Sequence, residues 1–538
     1  MKSYMQYMEE ITKEELLDGL LGYGMFSEKL PPVFSSKQLC SYWKNNGYKF
    51  DNRKNKEYGY IFFESMRNTN VPRQLGIPYP ISYSRLCVIL SNNWEKIKKV
   101  FHNNTEGDKY KISRIHIRKQ FDSKSLMNNM YEEIDDNKYD AIPNVAESEK
   151  AEAIFNINYK NWKIDGDPIL DFSLGKKYLV KADISQCFPS IYTHAITWAL
   201  IGKENAKKRE NRKGNWYNEI DNACQNMKNG ETHGILIGPH SSNLISELLL
   251  TRVDKILRQK YDYIRHIDDY TCYVRTYEEA EKFIQDLTIE LRKFDFSINN
   301  KKTLIKKLPQ ISSDFWVQEL RNKPVLNKYG KVDYNTARSY LETAVCLMEN
   351  NGGNVATIVY AIKVLGNNEM SKNAKEYCIK TMCNLSIIFP YLVPILNEYV
   401  FEKLNANRIE IERFSSELYN DSVSKFNFEG ISYAIFFAIK YNFKLNLDIN
   451  YILNDANCIC KVLAFIYYKK NDDKKTIEIL IEHAKSLKYE SFFENWLFVY
   501  ETLSVEDFNV ENIDYTMDDF KMLKKAKISF LSSEYQYA

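Results

Sequence analysis

The sequence is short of features that mark several protein classes. No run of 18 or more apolar residues occurs in its 538 residues, so no helical membrane span is expected. The opening residues, MKSYMQYMEEITKEE, are polar and acidic with no apolar stretch, and do not read as a secretory signal. The ten cysteines form no paired CxxC motif. Cys458 and Cys460 make a lone CxC, which reads as structural, and the overall scatter suggests a reducing cytoplasm. The seven histidines include no HxxxH arrangement, which argues against a zinc enzyme. A net charge of +3 excludes a generic polyanion binder, although the charge is locally uneven. What remains is 44% hydrophobic and 27% charged, the composition of a soluble globular chain with room for roughly two to four domains.

One stretch organises the rest. Tyr261 to Thr276, YDYIRHIDDYTCYVRT, alternates hydrophobic and polar residues on both sides of Asp268 and Asp269. Period-two alternation rich in aromatic and β-branched residues predicts two strands, with the polar pair at the tip of a hairpin. Nucleotidyl transfer needs carboxylates that hold two divalent metals about 3.5–4 Å apart, and such a tip presents them. Asp-Asp also occurs at 135–136, 472–473 and 518–519, in polar or helical surroundings that suit solvated charge. Only the pair at 268–269 lies between strand-like runs, and read alone it could equally be an acidic turn.

The second focus is Lys177–Trp198, KYLVKADISQCFPSIYTHAITW. A strand is expected to end near Asp183, followed by a corner and a helix beginning near Thr193. A strand-end acid at such a corner suits a metal ligand. Phe188 could lie beneath the sugar of a nucleotide and exclude a 2′-hydroxyl. Taken alone, Asp183 also reads as a helix cap and Phe188 as plain core. Between the two foci, residues 203–213 hold six cations and two acids, either solvated or tracking a phosphate backbone. Gly230, Gly234 and Gly238 predict a loop that approaches other backbone or a phosphate closely. An amphipathic helix follows, with Leu244, Leu248 and Val253 on one face and Ser241 or Ser242 as its cap.

Upstream, residues 1–60 read as short helices and loops. Pro72, Pro78 and Pro80 force extended backbone before a helical pattern from Tyr83. Arg73 and Arg85 bracket this piece. Residues 102–120 are basic, with strand character over Ile112–Ile117 and Lys111, Arg114, Arg118 and Lys119 on it, a set that could hold a triphosphate. Residues 131–150 are acidic and loop-like. Downstream of the hairpin come a helix over 277–293 and a basic strand over 296–309, from which Lys302 is the candidate proton donor to a leaving group. From about 333 onward, successive amphipathic segments with short polar links predict a loose α-solenoid without a catalytic constellation.

The order Asp183-x4-Phe188, GIxxG (234–238), the Asp268-Asp269 hairpin and INxxKT (298–303) resembles motifs A to D of reverse transcriptases. More narrowly, LGIPYPISYSRL (75–86), IYTHAITWAL (191–200), GILIGPHSS (234–242) and RHIDDY (265–270) look like the abortive-infection and unknown-group reverse transcriptases of bacterial defence. The resemblance covers roughly 20–330. It implies an α+β chain: an N-terminal extension over 1–60, a fingers-like region over 61–160, a palm over 161–330, and an all-α helical-repeat domain over 331–538 in place of a thumb. Asp183, Asp268 and Asp269 would be the metal-binding, catalytic carboxylates. Phe188 would be the sugar gate, Gly238 the glycine close to the nascent pair, and Lys302 the motif D lysine. Arg73 and Arg114 would be fingers-side cations at the triphosphate. Two departures exist: His266 where many such enzymes have Tyr or Phe, and Leu236 in place of a common Pro.

The resemblance further implies DNA synthesis from dNTPs with two Mg2+ ions, Mn2+ being the substitute, in a bacterial cytoplasm. Family members include protein-primed enzymes that stay covalently attached to their DNA product, some untemplated and some copying a non-coding RNA, and many are homo-oligomers. Tyr4, Tyr7, Tyr535 and Tyr537 lie near the chain ends, where a priming hydroxyl could reach the site. Two alternatives stand beside this reading: a conventional primer-dependent, RNA-templated reverse transcriptase, and a catalytically silent RNA-binding scaffold.

Overall fold

The computed structural model describes residues 4–48, 56–108, 112–113, 116–117, 155–156, 168–211, 213–309, 315–508 and 515–536. Arg114 and the acidic segment 131–150 lie outside these residues. The chain forms two compact units. The first comprises residues 1–27, 35–60 and 76–310; the second comprises 28–34, 61–75 and 311–538. No helix among the described residues is long and apolar enough to cross a membrane. All ten cysteines are free.

Strands β1 (Tyr60–Arg67) and β2 (Thr69–Pro78) form a two-stranded sheet. Extended backbone therefore runs through Pro72 and Pro78, and the helix starts at Pro80, earlier than the pattern from Tyr83 suggests. Proline at the first helical position costs nothing, because that N–H has no partner in a helix. The short strands β3 (His116–Ile117) and β4 (Phe155–Asn156) pair antiparallel.

The first unit is built on one antiparallel sheet of four strands: β5 (Tyr178–Asp183), β6 (Asp262–His266), β7 (Asp269–Val274) and β8 (Leu304–Lys307). Their order is β6-β7-β5-β8. The expected hairpin is β6–β7, and the basic strand of 296–309 is β8. The longer helices of this unit, eight residues or more, are α1 (Lys37–Asn46), α2 (Pro80–Asn92), α3 (Trp94–Thr105), α4 (His194–Ile201), α5 (Trp216–Asn226), α6 (His240–Leu257) and α7 (Tyr277–Arg292). Helix α7 begins where Thr276 accepts a hydrogen bond from the Glu279 N–H at 3.2 Å. It buries Phe283, whose ring lies 5.9 Å from Tyr263 on β6. Burying such a ring contributes about 1.5–3 kcal/mol.

Helix α6 corrects one expectation. It starts at His240, with Pro239 at the N-cap and no side-chain cap. Ser241 and Ser242 are buried within its first turn, and the Ser242 hydroxyl donates to the Leu236 carbonyl at 2.6 Å. That bond ties the preceding glycine loop to the helix instead of satisfying a helix-end N–H.

In the second unit, α8 (Tyr334–Asn350), α9 (Ala356–Gly366), α10 (Lys372–Ile388), α11 (Arg408–Ser424), α12 (Phe428–Tyr441), α13 (Cys458–Lys470), α14 (Lys474–Glu490) and α15 (Trp496–Thr502) pack mainly on their neighbours in sequence. Nearest-neighbour packing is the rule of stacked helical arrays. Aromatic rings fill the seams: Phe401 lies 5.1 Å from Phe437, and Tyr500 lies 4.8 Å from Phe520. The C-terminal segment is pinned, with Ser532 N–H donating to the Val33 carbonyl at 2.8 Å. Tyr535 is buried against Phe436, and Tyr7 is buried in the first unit. Neither presents a free hydroxyl at a loose end, contrary to the expectation from their positions in the sequence.

Glu429 on α12 is fully buried within the second unit. Its carboxyl accepts from the Ser65 hydroxyl at 2.9 Å and the Met66 N–H at 2.7 Å. Burial pushes its pKa up to about 7 despite those two donors. The folded pKa therefore lies above the unfolded one, so the folded state holds the proton that the unfolded state releases. Stability falls as pH rises from about 4.5 to 7, by up to about 3 kcal/mol. In Glu429→Gln the amide oxygen can accept from the Met66 N–H while the amide N–H donates to the Ser65 hydroxyl, so both partners stay satisfied without the charge. We expect it to match wild type near pH 5 and to melt higher at pH 8. Equal melting at pH 8 would mean the carboxylate is not desolvated as argued.

Candidate active site

Strand β5 ends at Asp183, and β7 begins at Asp269, directly opposite it in the register. Cross-strand partners have Cβ atoms about 4.5–5.5 Å apart, and like charges so placed are destabilising. The fold thus tolerates an unfavourable juxtaposition. Asp268 is added by the two-residue loop Ile267–Asp268 between β6 and β7, whose ends pair as His266 with Asp269. The Asp268 carbonyl accepts from the Ile184 N–H at 3.1 Å, which anchors the loop to the end of β5.

The loop is strained. Ile267 has φ +57°, a left-handed conformation that is a genuine outlier for a β-branched residue. A fully buried cation holds it. Arg265 Nη1 donates to the Ile267 carbonyl at 2.9 Å and to Glu247 Oε2 at 3.1 Å. Its Nη2 donates to Asp254 Oδ2 at 2.6 Å, and the Tyr263 hydroxyl donates to Asp254 Oδ1 at 2.9 Å. Glu247 and Asp254 sit seven residues apart on the buried face of α6. Burial alone would depress the Arg265 pKa, but Asp254 and Glu247 more than offset this and hold it well above its ordinary value. No role was assigned to these three from sequence. The usable signal was two acids at helical spacing among the leucines of α6, and a charged residue at an inward position of β6.

Around the three aspartates, Lys302 Nζ donates to Asp183 Oδ2 at 2.6 Å and Asn299 Nδ2 donates to Asp183 Oδ1 at 3.1 Å. Asn299 N–H also donates to the Asp183 carbonyl at 2.8 Å. The hydrogen bond to Asp183 raises the Lys302 pKa against partial desolvation, with Asp269 and Asp268 adding to it. Asp269 as a residue is exposed, yet its carboxyl is shielded. Loss of solvent pushes it up to about 7, helped by a hydrogen bond to Asp183 and the charges of Asp268 and Asp183, and opposed by Lys302.

Among the described residues, no three acidic, His or Cys side chains are drawn together closely enough to hold an ion as they stand. Asp183 is turned onto Lys302 and Asn299 instead. The donor chemistry nevertheless fits hard divalent cations, which take carboxylate oxygens. Behind desolvation, the charges of Asp268 and Asp183 also raise the Asp269 pKa, and a bound cation would relieve that repulsion.

Phe188 is half-buried on the short helical turn Cys187–Ser190 after β5. Its carbonyl accepts from the Ile235 N–H at 3.1 Å, and the Ile191 carbonyl accepts from the Gly234 N–H at 2.8 Å. These bonds dock the glycine loop on the corner that follows Asp183. Gly234 has φ +79°, and a Cβ there would meet the Pro189 carbonyl oxygen at 2.8 Å, so only glycine fits. Gly238 has φ +124°, with looser surroundings. The structure thus places Asp183, Asp268, Asp269 and Lys302 together, and docks the loop that carries Gly238 beside Phe188. Arg73 stands exposed on β2, in the second unit.

Residues 125–327 match the family described as reverse transcriptase (RNA-dependent DNA polymerase). The match contains every residue just grouped, while Arg73 and Arg114 precede it. No curated protein matches the chain. Among solved structures, apo telomerase from Candida tropicalis truncated from its C-terminal domain is 12% identical with a TM-score of 0.29, covering 52% of this chain and 55% of that one. Telomerase from Candida albicans in complex with a fragment of telomeric RNA is 10% identical with a TM-score of 0.26, covering 75% and 65%. The chain therefore spans about half the length of the first of these and under two thirds of the second.

Proposed function

We propose that this chain, which carries a reverse transcriptase domain and is by class an RNA-directed DNA polymerase, makes DNA in anti-phage defence as a protein-primed enzyme. Its substrates are dNTPs, and its product DNA stays attached to the protein. Synthesis is either untemplated or copies a non-coding RNA. The observation that carries the reading is the convergence of Asp183, Asp268 and Asp269 at one end of the β5–β7 pair, beside Lys302. A scaffold that only held RNA would gain nothing from three acids facing a phosphate backbone.

Asp183, Asp268 and Asp269 would hold Mg2+ or Mn2+, which when bound stabilises the charge developing on the attacking and leaving oxygens. Lys302 would give a proton to the departing pyrophosphate. Phe188 would close the space beneath the sugar against a 2′-hydroxyl. Gly238 would let the backbone approach the nascent base pair. Arg73 and Arg114 would meet the triphosphate from the fingers-like region. The helical second unit would take the role of a thumb, and the chain would work as a cytoplasmic homo-oligomer.

The test uses purified protein, magnesium and one labelled dNTP at a time, without primer or template, resolved on denaturing gels with and without protease. Label that migrates with the protein, collapses on proteolysis and is absent from Asp268→Ala is the expected result. Incorporation that appears only with an added primer and RNA template would instead favour the conventional primer-dependent enzyme. No incorporation under any of these conditions would leave the scaffold.

A further inference from the structure

The outer side of the corner after Asp183 carries a surface with no part in the chemistry above. Tyr192 lies 5.5 Å from Trp198, 5.3 Å from His233 and 4.9 Å from His194, measured between ring centroids. His233 is exposed and the other three rings are half open to solvent. A core would close over such a cluster. Here it is left at the surface and edged with positive charge. Lys203 Nζ lies 4.1 Å from the Trp198 ring centroid. The segment that begins there, 203–213, carries six basic and two acidic residues.

The cluster is rigidly mounted. His194 Nδ1 pairs with the buried Asp221 at 2.5 Å, and Gln225 Nε2 donates to Asp221 at 2.6 Å and to the Thr193 hydroxyl at 3.0 Å. The bond to Asp221 raises the His194 pKa against partial burial. Tyr192 bridges to His233, and Thr193 N–H donates to the Thr232 carbonyl at 2.8 Å. The rings are therefore fastened to the same glycine loop that docks beside Phe188. Tyr192 follows Asp183 by only nine positions.

We propose that this surface binds single-stranded nucleic acid and leads it to or from the aspartates. Bases stack on Tyr192, Trp198 and His233, while Lys203 and the basic residues after it hold phosphates. Half-exposed rings interleaved with cations are what sequence-tolerant strand binding needs, because every base offers a π-face and every linkage a charge. RNA and DNA share this chemistry. The proposal deepens the polymerase reading and rests on it for the strand's purpose, but binding is measured without nucleotide or metal. A protein that binds strands here and incorporates nothing keeps this inference and loses the other.

The experiment is anisotropy of fluorescein-labelled dT20 and rU20 with the full chain in EDTA across a salt series. Trp198→Ala and His233→Ala should each weaken binding roughly tenfold. Lys203→Gln should reduce the salt slope by about one. Lys380→Gln, on the helical unit, should change neither. Because Trp198→Ala could disturb α4, wild-type protein is also photocrosslinked to a 5-iodouracil oligonucleotide. An adduct within peptides spanning 191–213 or 233 supports the proposal, with dT20 or rU20 preference telling DNA from RNA. Adducts confined to other segments, or unchanged affinity in folded variants, would overturn it.

Discussion

Arg265→Gln is expected to destabilise the first unit by about 3–5 kcal/mol at pH 8, because it strands two buried carboxylates without their cation. Glu247 and Asp254 are closed to solvent, and each gives Arg265 a direct ion pair. Burial already raises the Asp254 pKa even with Arg265 opposing it. Without the guanidinium, the folded pKa of Asp254 rises further above the unfolded value, and Glu247 is left buried without its partner. The stability they cost is therefore felt above their unfolded pKa and grows as pH climbs. The variant should recover part of its melting temperature near pH 5, and a pH-independent deficit would count against the argument. A second variant separates folding from positioning. Arg265→Met with Glu247→Leu, Asp254→Leu and Tyr263→Phe removes the charges and the hydroxyl together, and apolar replacement of buried ion pairs is often neutral in stability. That protein should fold, yet the Ile267 carbonyl has lost its donor and the strained loop its brace. We expect nucleotide incorporation at least tenfold below wild type. Full activity in that background would reduce the network to a packing device.

The same network shows what the sequence could and could not yield. The β6–β7 hairpin was legible because its alternation is strict and its acids interrupt it in one place. Asp183 was legible as a strand end, and the register that sets it opposite Asp269 follows from two alternating strands. Arg265 was not, although it sits two residues from the loop. Local alternation places it inward, but only the tertiary fold brings the two acids of α6 against it. Asn299 stands in the INxxKT motif, but its role was hidden for a similar reason: its bond to Asp183 spans more than a hundred residues. The missed cap at Ser241 and Ser242 has another cause. Pro239 presets the backbone for helix entry, so the serines fall inside the helix, where Ser242 bonds backward to Leu236. Burial of Tyr535 could not be foreseen either, because polar residues flank it and the ring it packs on, Phe436, is distant in the chain.

Asp268→Asn should separate stability from activity in opposite directions. In the folded protein the Asp268 charge helps hold the Asp269 pKa up near 7, behind desolvation and the bond to Asp183. A folded pKa above the unfolded 3.8 means that Asp269 costs stability as pH rises through the interval between them. Neutralising Asp268 removes one source of that shift. The variant should therefore melt no lower than wild type at pH 5 and higher at pH 8, without added metal. Incorporation should fall at least a thousandfold, since losing a carboxylate from a dication site removes several kcal/mol of transition-state stabilisation. A readout that needs no turnover completes the test. Mn2+ binds only the folded protein, so increasing Mn2+ should raise the wild-type melting temperature in step with its concentration. The Asn variant, with one ligand charge gone, should show a much smaller rise. Two proteins that respond equally to Mn2+ would place the metal elsewhere, whatever their activities. A wild type that does not respond at all would mean that Lys302 keeps Asp183 occupied until a nucleotide arrives. The titration repeated with a non-hydrolysable dNTP analogue should then restore the difference between them.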